Sequence, residues 1–211
     1  MFETRGYMLD VSRDRVPTMR TLRLIVDILA RYRYTQFQLY TEHTFAYEGH
    51  ESVWEEADPL TPMEIAKLQA YCEMQGIELV PNQNTFGHME RWLTNPKYNA
   101  LAKFPKGGAM TPWGTIKKFP TTLDPKNPGS LALVEDLLGQ LLPNFASKLV
   151  NIGCDETFEI ADPEEYFTFL MKVAEVAKRH GKRPMFWGDI ILKHPEYIAR
   201  LPKDLIALDW G

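Results

Sequence analysis

Two adjacent carboxylates, Asp155 and Glu156, follow the segment Asn151-Ile-Gly-Cys. Successive side chains of a strand point to opposite faces, so two neighbours serve one substrate only where the strand is already ending. Gly153 permits such an end. Carboxyl groups this close disfavour ionising together, which keeps one protonated near neutrality and available as a general acid. Asp-Glu is also a common dipeptide, and the pair alone does not separate catalysis from a solvated turn. Further polar and aromatic residues recur in comparable places: Asp10, Glu42-His43, Asn84 and His88, Trp187-Gly-Asp189 and Asp209-Trp210. Each lies just beyond a stretch that reads as a strand. In an eight-stranded α/β barrel all these carboxyl ends converge on one rim, where the active site is built. Carboxylates that grip hydroxyls and indole faces that pack on pyranose C–H surfaces suit a sugar. Taken singly, each residue has an ordinary structural use, since strand-end aspartates cap helices and most lone histidines are packing residues. Their recurrence in phase is what points to a site.

The elements that must position them alternate along the chain. Strands are expected over 5–11, 36–40, 77–81, 148–153, 184–187 and 206–210. From Pro17 to about Tyr32, apolar residues Leu22, Ile25, Val26 and Leu29 fall at helical spacing. Thr61-Pro62-x-Glu64 reads as a capping box opening a helix that Gly76 closes, and Asp162-Pro163-x-Glu165 caps a longer one closed by Gly181. A third helix is expected from Ser130 to about Leu142, and a short one near 195–200. The segments 41–60 and 82–129 are too long for plain connections and read as elaborated rim loops. Of the tryptophans they carry, Trp54, Trp92 and Trp113, one is expected to line a cleft.

Alternation of strands with helices implies a parallel sheet covered on both faces. No Gly-x-Gly-x-x-Gly turn follows the first strand, so a (β/α)8 TIM-barrel type is favoured over a doubly wound sheet, with about six of eight β/α units in a single 1–211 domain that is C-terminally truncated relative to a full barrel. The 211 residues carry 24 Lys+Arg against 28 Asp+Glu, for a net charge of −4. Without a basic run there is no footprint for a phosphate backbone, which disfavours nucleic acid. No stretch has the length of a membrane span, and residues 1–20 lack a secretion pattern. Cys72 and Cys154 make neither a disulfide framework nor a zinc site, and the compartment stays open with the reducing cytosol favoured. Cys72 reads as core, and Cys154 lacks an evident base for a nucleophile's role.

Together these segments resemble glycoside hydrolase family 20, the β-N-acetylhexosaminidases, and within it the hexosaminidase D-like branch. Arg5-Gly-Tyr-Met-Leu-Asp-Val-Ser-Arg13 is similar to the family's opening strand, and Pro81-x-x-Asn84-Thr-Phe-Gly-His-Met-Glu90 to its third. Asn151-Ile-Gly-Cys-Asp-Glu156 is similar to its acid-bearing signature, with Asn151 in place of the usual histidine. The resemblance implies retaining, substrate-assisted hydrolysis of terminal β-linked GlcNAc or GalNAc, with no cofactor and no metal. Glu156 then corresponds to the general acid/base and Asp155 to the residue that orients the substrate acetamide. Arg5 corresponds to the arginine on the C3 and C4 hydroxyls, and His88 to the histidine that tunes the acid. Trp187 and Trp210 correspond to walls of the acetamido pocket. Glu42 corresponds, within one residue of register, to an acidic residue near that pocket, and Asp189 falls in the fifth-strand tryptophan segment among the substrate-binding positions. Asn84 stands where many relatives have aspartate and receives no proton-relay role.

Two other readings are open to the sequence. Glu42, His88, Asp155, Glu156 and Asp189 could supply oxygen and nitrogen ligands in a metal-dependent barrel enzyme, although no tight ligand motif is present. Alternatively the chain is a non-catalytic sugar-binding fragment, whose unpaired first and sixth strands invite homo-oligomerisation.

Overall fold

Local signals set most element boundaries. In this computed structural model, which describes residues 2–210, Thr61 and Glu64 form the reciprocal capping box that opens a helix at Pro62. The outermost residues of the expected domain, Met1 and Gly211, lie outside the described part. The six strands are β1 (Gly6–Asp10), β2 (Gln36–Tyr40), β3 (Glu78–Val80), β4 (Leu149–Asn151), β5 (Arg183–Trp187) and β6 (Ile206–Leu208). The helices are α1 (Met19–Arg31), α2 (Glu51–Trp54), α3 (Pro62–Met74), α4 (Glu90–Leu93), α5 (Pro128–Leu141) and α6 (Pro163–Arg179). Helix α1 starts two residues later than Pro17 because Thr18 Oγ1 accepts the Thr21 N–H and so caps it. Helix α5 starts two residues earlier than Ser130, because Asn127 caps it with Pro128 at the first position. The residues near 195–200 form a 3-10 turn.

The pairings among the six strands are all parallel. One sheet has the order β1-β2-β3 and the other β4-β5-β6. A parallel bridge between Asn82 and Asn151 joins them, with the Asn151 N–H donating to Pro81 O at 2.9 Å and the Gln83 N–H to Asn151 O at 3.0 Å. Strands therefore follow one another in chain order without the reversal of a doubly wound sheet.

Alternation along each strand separates two environments. Phe37 and Leu39 of β2 belong to the apolar core with Leu22 and Val26 of α1 and Ile65 and Leu68 of α3. Gln36, Gln38 and Tyr40 share the other face, where the Gln38 amide donates to Gln36 at 2.9 Å and the Gln36 amide to Glu78 at 3.2 Å. The same alternation puts Phe186 of β5 in the core and leaves Trp187 on the inner side. Helices α5 and α6 pack on each other and α6 on β5, with Val134, Leu138, Leu170 and Val173 all fully enclosed. One face of the strand array is thus an oil-filled layer, and the other is polar and leads to the rim.

Candidate active site

The exit of β4 departs from extended geometry at once. Gly153, Cys154 and Glu156 have φ of 70°, 71° and 49°. This left-handed path is open to glycine but costs other residues on the order of 1–3 kcal/mol each. Its consequence is geometric: the adjacent side chains of Asp155 and Glu156 both line one cavity, as the sequence required of a strand that ends at Gly153. His88, with φ of 56°, is a third non-glycine residue in this conformation at the same place. Three non-glycine residues in the left-handed region thus lie where the polar groups converge.

Two glycines let the supporting loops interlock. A Cβ on Gly87 would run into the Asp155 carbonyl oxygen, and one on Gly153 into the Asn84 side chain. The loop after β3 therefore lies directly on the loop after β4. Thr85 Oγ1 donates to Ile152 O at 2.7 Å, and Asn84 Nδ2 donates to Thr41 O at 3.2 Å, tying both loops to the end of β2. Asn84 is thus a fastening residue.

His88 occupies the centre. Its Nε2 is 3.3 Å from Asp155 Oδ2 and 3.7 Å from Glu156 Oε2, and its Nδ1 is 3.5 Å from Glu42 Oε1. Burial opposes its charge, but the hydrogen bonds and charges of Asp155 and Glu42 outweigh that and push its pKa up to about 10. An imidazolium therefore sits among three carboxyl groups at neutral pH. Glu42 is itself fixed: its Oε1 accepts the Tyr40 hydroxyl at 2.9 Å, its N–H donates to Ser12 Oγ at 2.7 Å, and its carbonyl accepts the Trp92 indole N–H at 2.7 Å.

A cavity of about 330 Å³ opens over this cluster, lined by Met8, Asp10, Arg13, Tyr40, His88, Asp155, Glu156, Trp187 and Trp210. Five of the expected site residues, Asp155, Glu156, His88, Trp187 and Trp210, are thereby brought together. Trp210 is half exposed, and the Trp187 indole nitrogen is enclosed without a partner. Three others take different places. Glu42 stands behind His88 and Tyr40, both of which line the cavity. Asp189 is not a lining residue either: its Oδ2 accepts the Glu156 N–H at 3.2 Å, so it braces the acid's backbone. Burial, aided by the nearby Asp155 charge and opposed by that N–H, raises the Asp189 pKa to about 6. Arg5 immediately precedes β1, at the strand end away from the rim, and does not line the cavity. Its Nε is enclosed without a hydrogen-bond partner.

Several contributors escaped the sequence reading. Tyr40 shares a face with Gln36 and Gln38, and strand parity alone could have found it. Arg13 lies 4.8 Å over the Tyr40 ring and pairs with Asp10, whose other oxygen accepts the Ser12 and Arg13 N–H groups. Lys117, from the long loop before α5, brings its Nζ to 3.9 Å from Glu156 Oε2. No sequence signal marks it. Glu159 is buried and accepts from the Thr121 N–H and from both the Thr121 and Thr122 hydroxyls, clasping that loop to the β4 exit.

The metal-dependent reading would need these carboxylates and His88 to converge on an ion. Among the described residues no group of three or more His, Cys, Asp or Glu side chains is arranged to hold one. Cys154 is fully enclosed, and burial pushes its thiol up to about 12, which leaves no thiolate for nucleophilic attack.

Comparison with known proteins puts this chain among the glycoside hydrolases. The chain belongs to family 20 of that class: residues 2–167 match "Glycosyl hydrolase family 20, catalytic domain". Hexosaminidase D of Bos taurus is 27% identical over 173 residues, covering 74% of this chain and 46% of that protein. Flavobacterium johnsoniae chitobiase superposes with a TM-score of 0.79 at 24% identity, over 99% of this chain and 34% of that one. An exo-β-N-acetylglucosaminidase of Vibrio harveyi, solved with N-acetylglucosamine, also gives 0.79 at 18% identity, over 100% of this chain and 38% of that one. The chain spans less than half the length of each.

Proposed function

We propose that this chain carries the catalytic half-site of a retaining exo-β-N-acetylhexosaminidase acting on glycans or glycoconjugates that end in β-linked GlcNAc or GalNAc. The observation that carries the proposal is the left-handed exit of β4, which turns adjacent Asp155 and Glu156 into one cavity beside a cationic His88. In the proposed reaction the substrate's acetamido oxygen attacks the anomeric carbon as the bond to the leaving oxygen breaks, and Glu156 gives that oxygen its proton. The product is an oxazolinium ring, whose N–H positive charge Asp155 orients and stabilises. Water then attacks the anomeric carbon, Glu156 takes the water's proton, and the ring opens with net retention. Neighbouring carboxyls suffice because only Glu156 must reach the glycosidic oxygen.

Trp187 and Trp210 supply apolar walls for the acetamido methyl. Arg5, which does not line the cavity, is assigned to the C3 and C4 hydroxyls by its match to the family arginine alone. We infer that the six β/α units belong to a (β/α)8 wall, in keeping with their uninterrupted parallel order. The open sides of β1 and β6 are then places where further strands, or a second copy of the chain, would pair.

The decisive experiment compares release of a chromogenic phenol from its β-GlcNAc glycoside by a chain carrying eight β/α units and by its Glu156→Gln variant. The variant is expected to lose on the order of 10²–10⁴-fold in turnover, the usual contribution of a general acid. Equal rates would overturn the assignment.

A further inference from the structure

Of the three rim-loop tryptophans, two are committed to packing. Trp54 is half-buried and donates its indole N–H to Tyr47 O at 2.8 Å, and Trp92 is wholly enclosed. Trp113 is different, with 60% of its surface exposed. It sits at the tip of a small antiparallel hairpin. The Gly108 N–H donates to Lys117 O, the Lys117 N–H to Ala109 O and the Thr111 N–H to Thr115 O, each at 2.8 Å. Thr111 Oγ1 also accepts the Thr115 N–H at 3.1 Å, and Gly114 makes the reversal with φ of 83°.

This hairpin is fastened to the acid-bearing loop. The Trp113 ring stands edge-on to Phe158 with centroids 5.4 Å apart, and Lys117 Nζ lies 5.9 Å from the centre of the same ring. Phe158 follows Glu156 by two residues and donates its N–H to Glu156 O at 2.8 Å. Phe158 thus links the exposed indole of the hairpin to the acid-bearing turn, and Lys117 of the same hairpin reaches to 3.9 Å from Glu156 Oε2. A general acid protonates the oxygen of the departing group, so that group must lie beside Glu156, where the hairpin brings Lys117.

We propose that the 108–117 hairpin is the leaving-group platform of this site and that its occupant is a sugar residue, stacked on Trp113 with a ring oxygen or hydroxyl on Lys117. The inference rests on the hexosaminidase reading above. An indole face fits the apolar C–H side of a pyranose, and an ammonium beside it fits the hydroxyl edge.

The test measures binding by calorimetry to the Glu156→Gln chain, in which both ligands stay intact. The ligands are methyl β-N-acetylglucosaminide, which has no sugar in the leaving position, and N,N′-diacetylchitobiose, which has one. The disaccharide is expected to bind about tenfold more tightly, the size of one well-placed aromatic contact. Adding Trp113→Ala should bring the affinity ratio to about one, while Trp113→Tyr should keep most of it. A ratio that survives Trp113→Ala, or is near one already with Trp113 present, overturns the platform while methyl glycoside binding leaves the hexosaminidase reading standing. Binding of neither sugar overturns both.

Discussion

His88 is the residue on which the electrostatics turn. Its pKa of about 10 lies above the ordinary 6.5, so its ion pairs contribute their full stability below pH 6.5 and lose it as pH rises through 10. Thermal unfolding followed from pH 6 to 10 should show a decline on the order of 3 kcal/mol that is absent in His88→Gln. That variant should itself be about 3 kcal/mol less stable at pH 7, because Glu42 and Asp155 then lose their cation and Glu156 keeps only Lys117. Asp189 behaves oppositely. Its pKa, raised to about 6, means that ionisation costs stability as pH climbs from 3.8 through 6. Asp189→Asn keeps an oxygen for the Glu156 N–H and removes that charge. It should gain about 1 kcal/mol at pH 7, after solvent screening is allowed for, and nothing below pH 3.8. A denaturant series at pH 3.5 and 7 checks both halves. The roles of these two residues were only partly legible in the sequence. Position after a strand marked both as rim residues. Whether a side chain lines the cavity or braces a neighbour depends on partners up to 67 residues away, such as His88 for Asp155, and no local pattern reports that.

At the scale of elements, local chemistry was the readable part. The Thr61-Pro62-Glu64 box and the Asp162 cap work within four residues, and both operate as their sequences indicate. Strand lengths were less readable: β3, β4 and β6 each have three residues, because the chain turns into rim loops as soon as the parallel ladder ends. The interlock of those loops depends on Gly87 and Gly153, whose missing side chains admit the Asp155 carbonyl and Asn84. Gly87→Ala should displace the Asp155 backbone and lose sugar binding while costing about 2 kcal/mol of stability. Gly153→Ala meets both a contact and a φ of 70°, so its cost should be at least as large. Denaturant midpoints of the two variants provide the check. Stability equal to that of the parent chain would show that the loops can separate without penalty.

For the whole molecule, sequential parallel strands and an apolar layer outside them follow from the alternation of elements, and family membership over residues 2–167 agrees with that. Among the described residues β1 pairs only with β2 and β6 only with β5, leaving backbone groups that a neighbouring strand can engage. The 211-residue chain by itself should therefore self-associate, with sedimentation coefficients rising with concentration, and Ala207→Lys on exposed β6 should reduce the rise. A monomer at all concentrations would contradict edge pairing. The central claim concerns the cyclic intermediate, and the most direct measurement is calorimetric binding of a GlcNAc-derived thiazoline, a stable mimic of the oxazolinium ring, to the chain with eight β/α units and to its Asp155→Ala variant. Tight binding that falls about a hundredfold or more without the Asp155 carboxylate is expected. Binding that is absent, or indifferent to Asp155, would contradict substrate-assisted catalysis at this site.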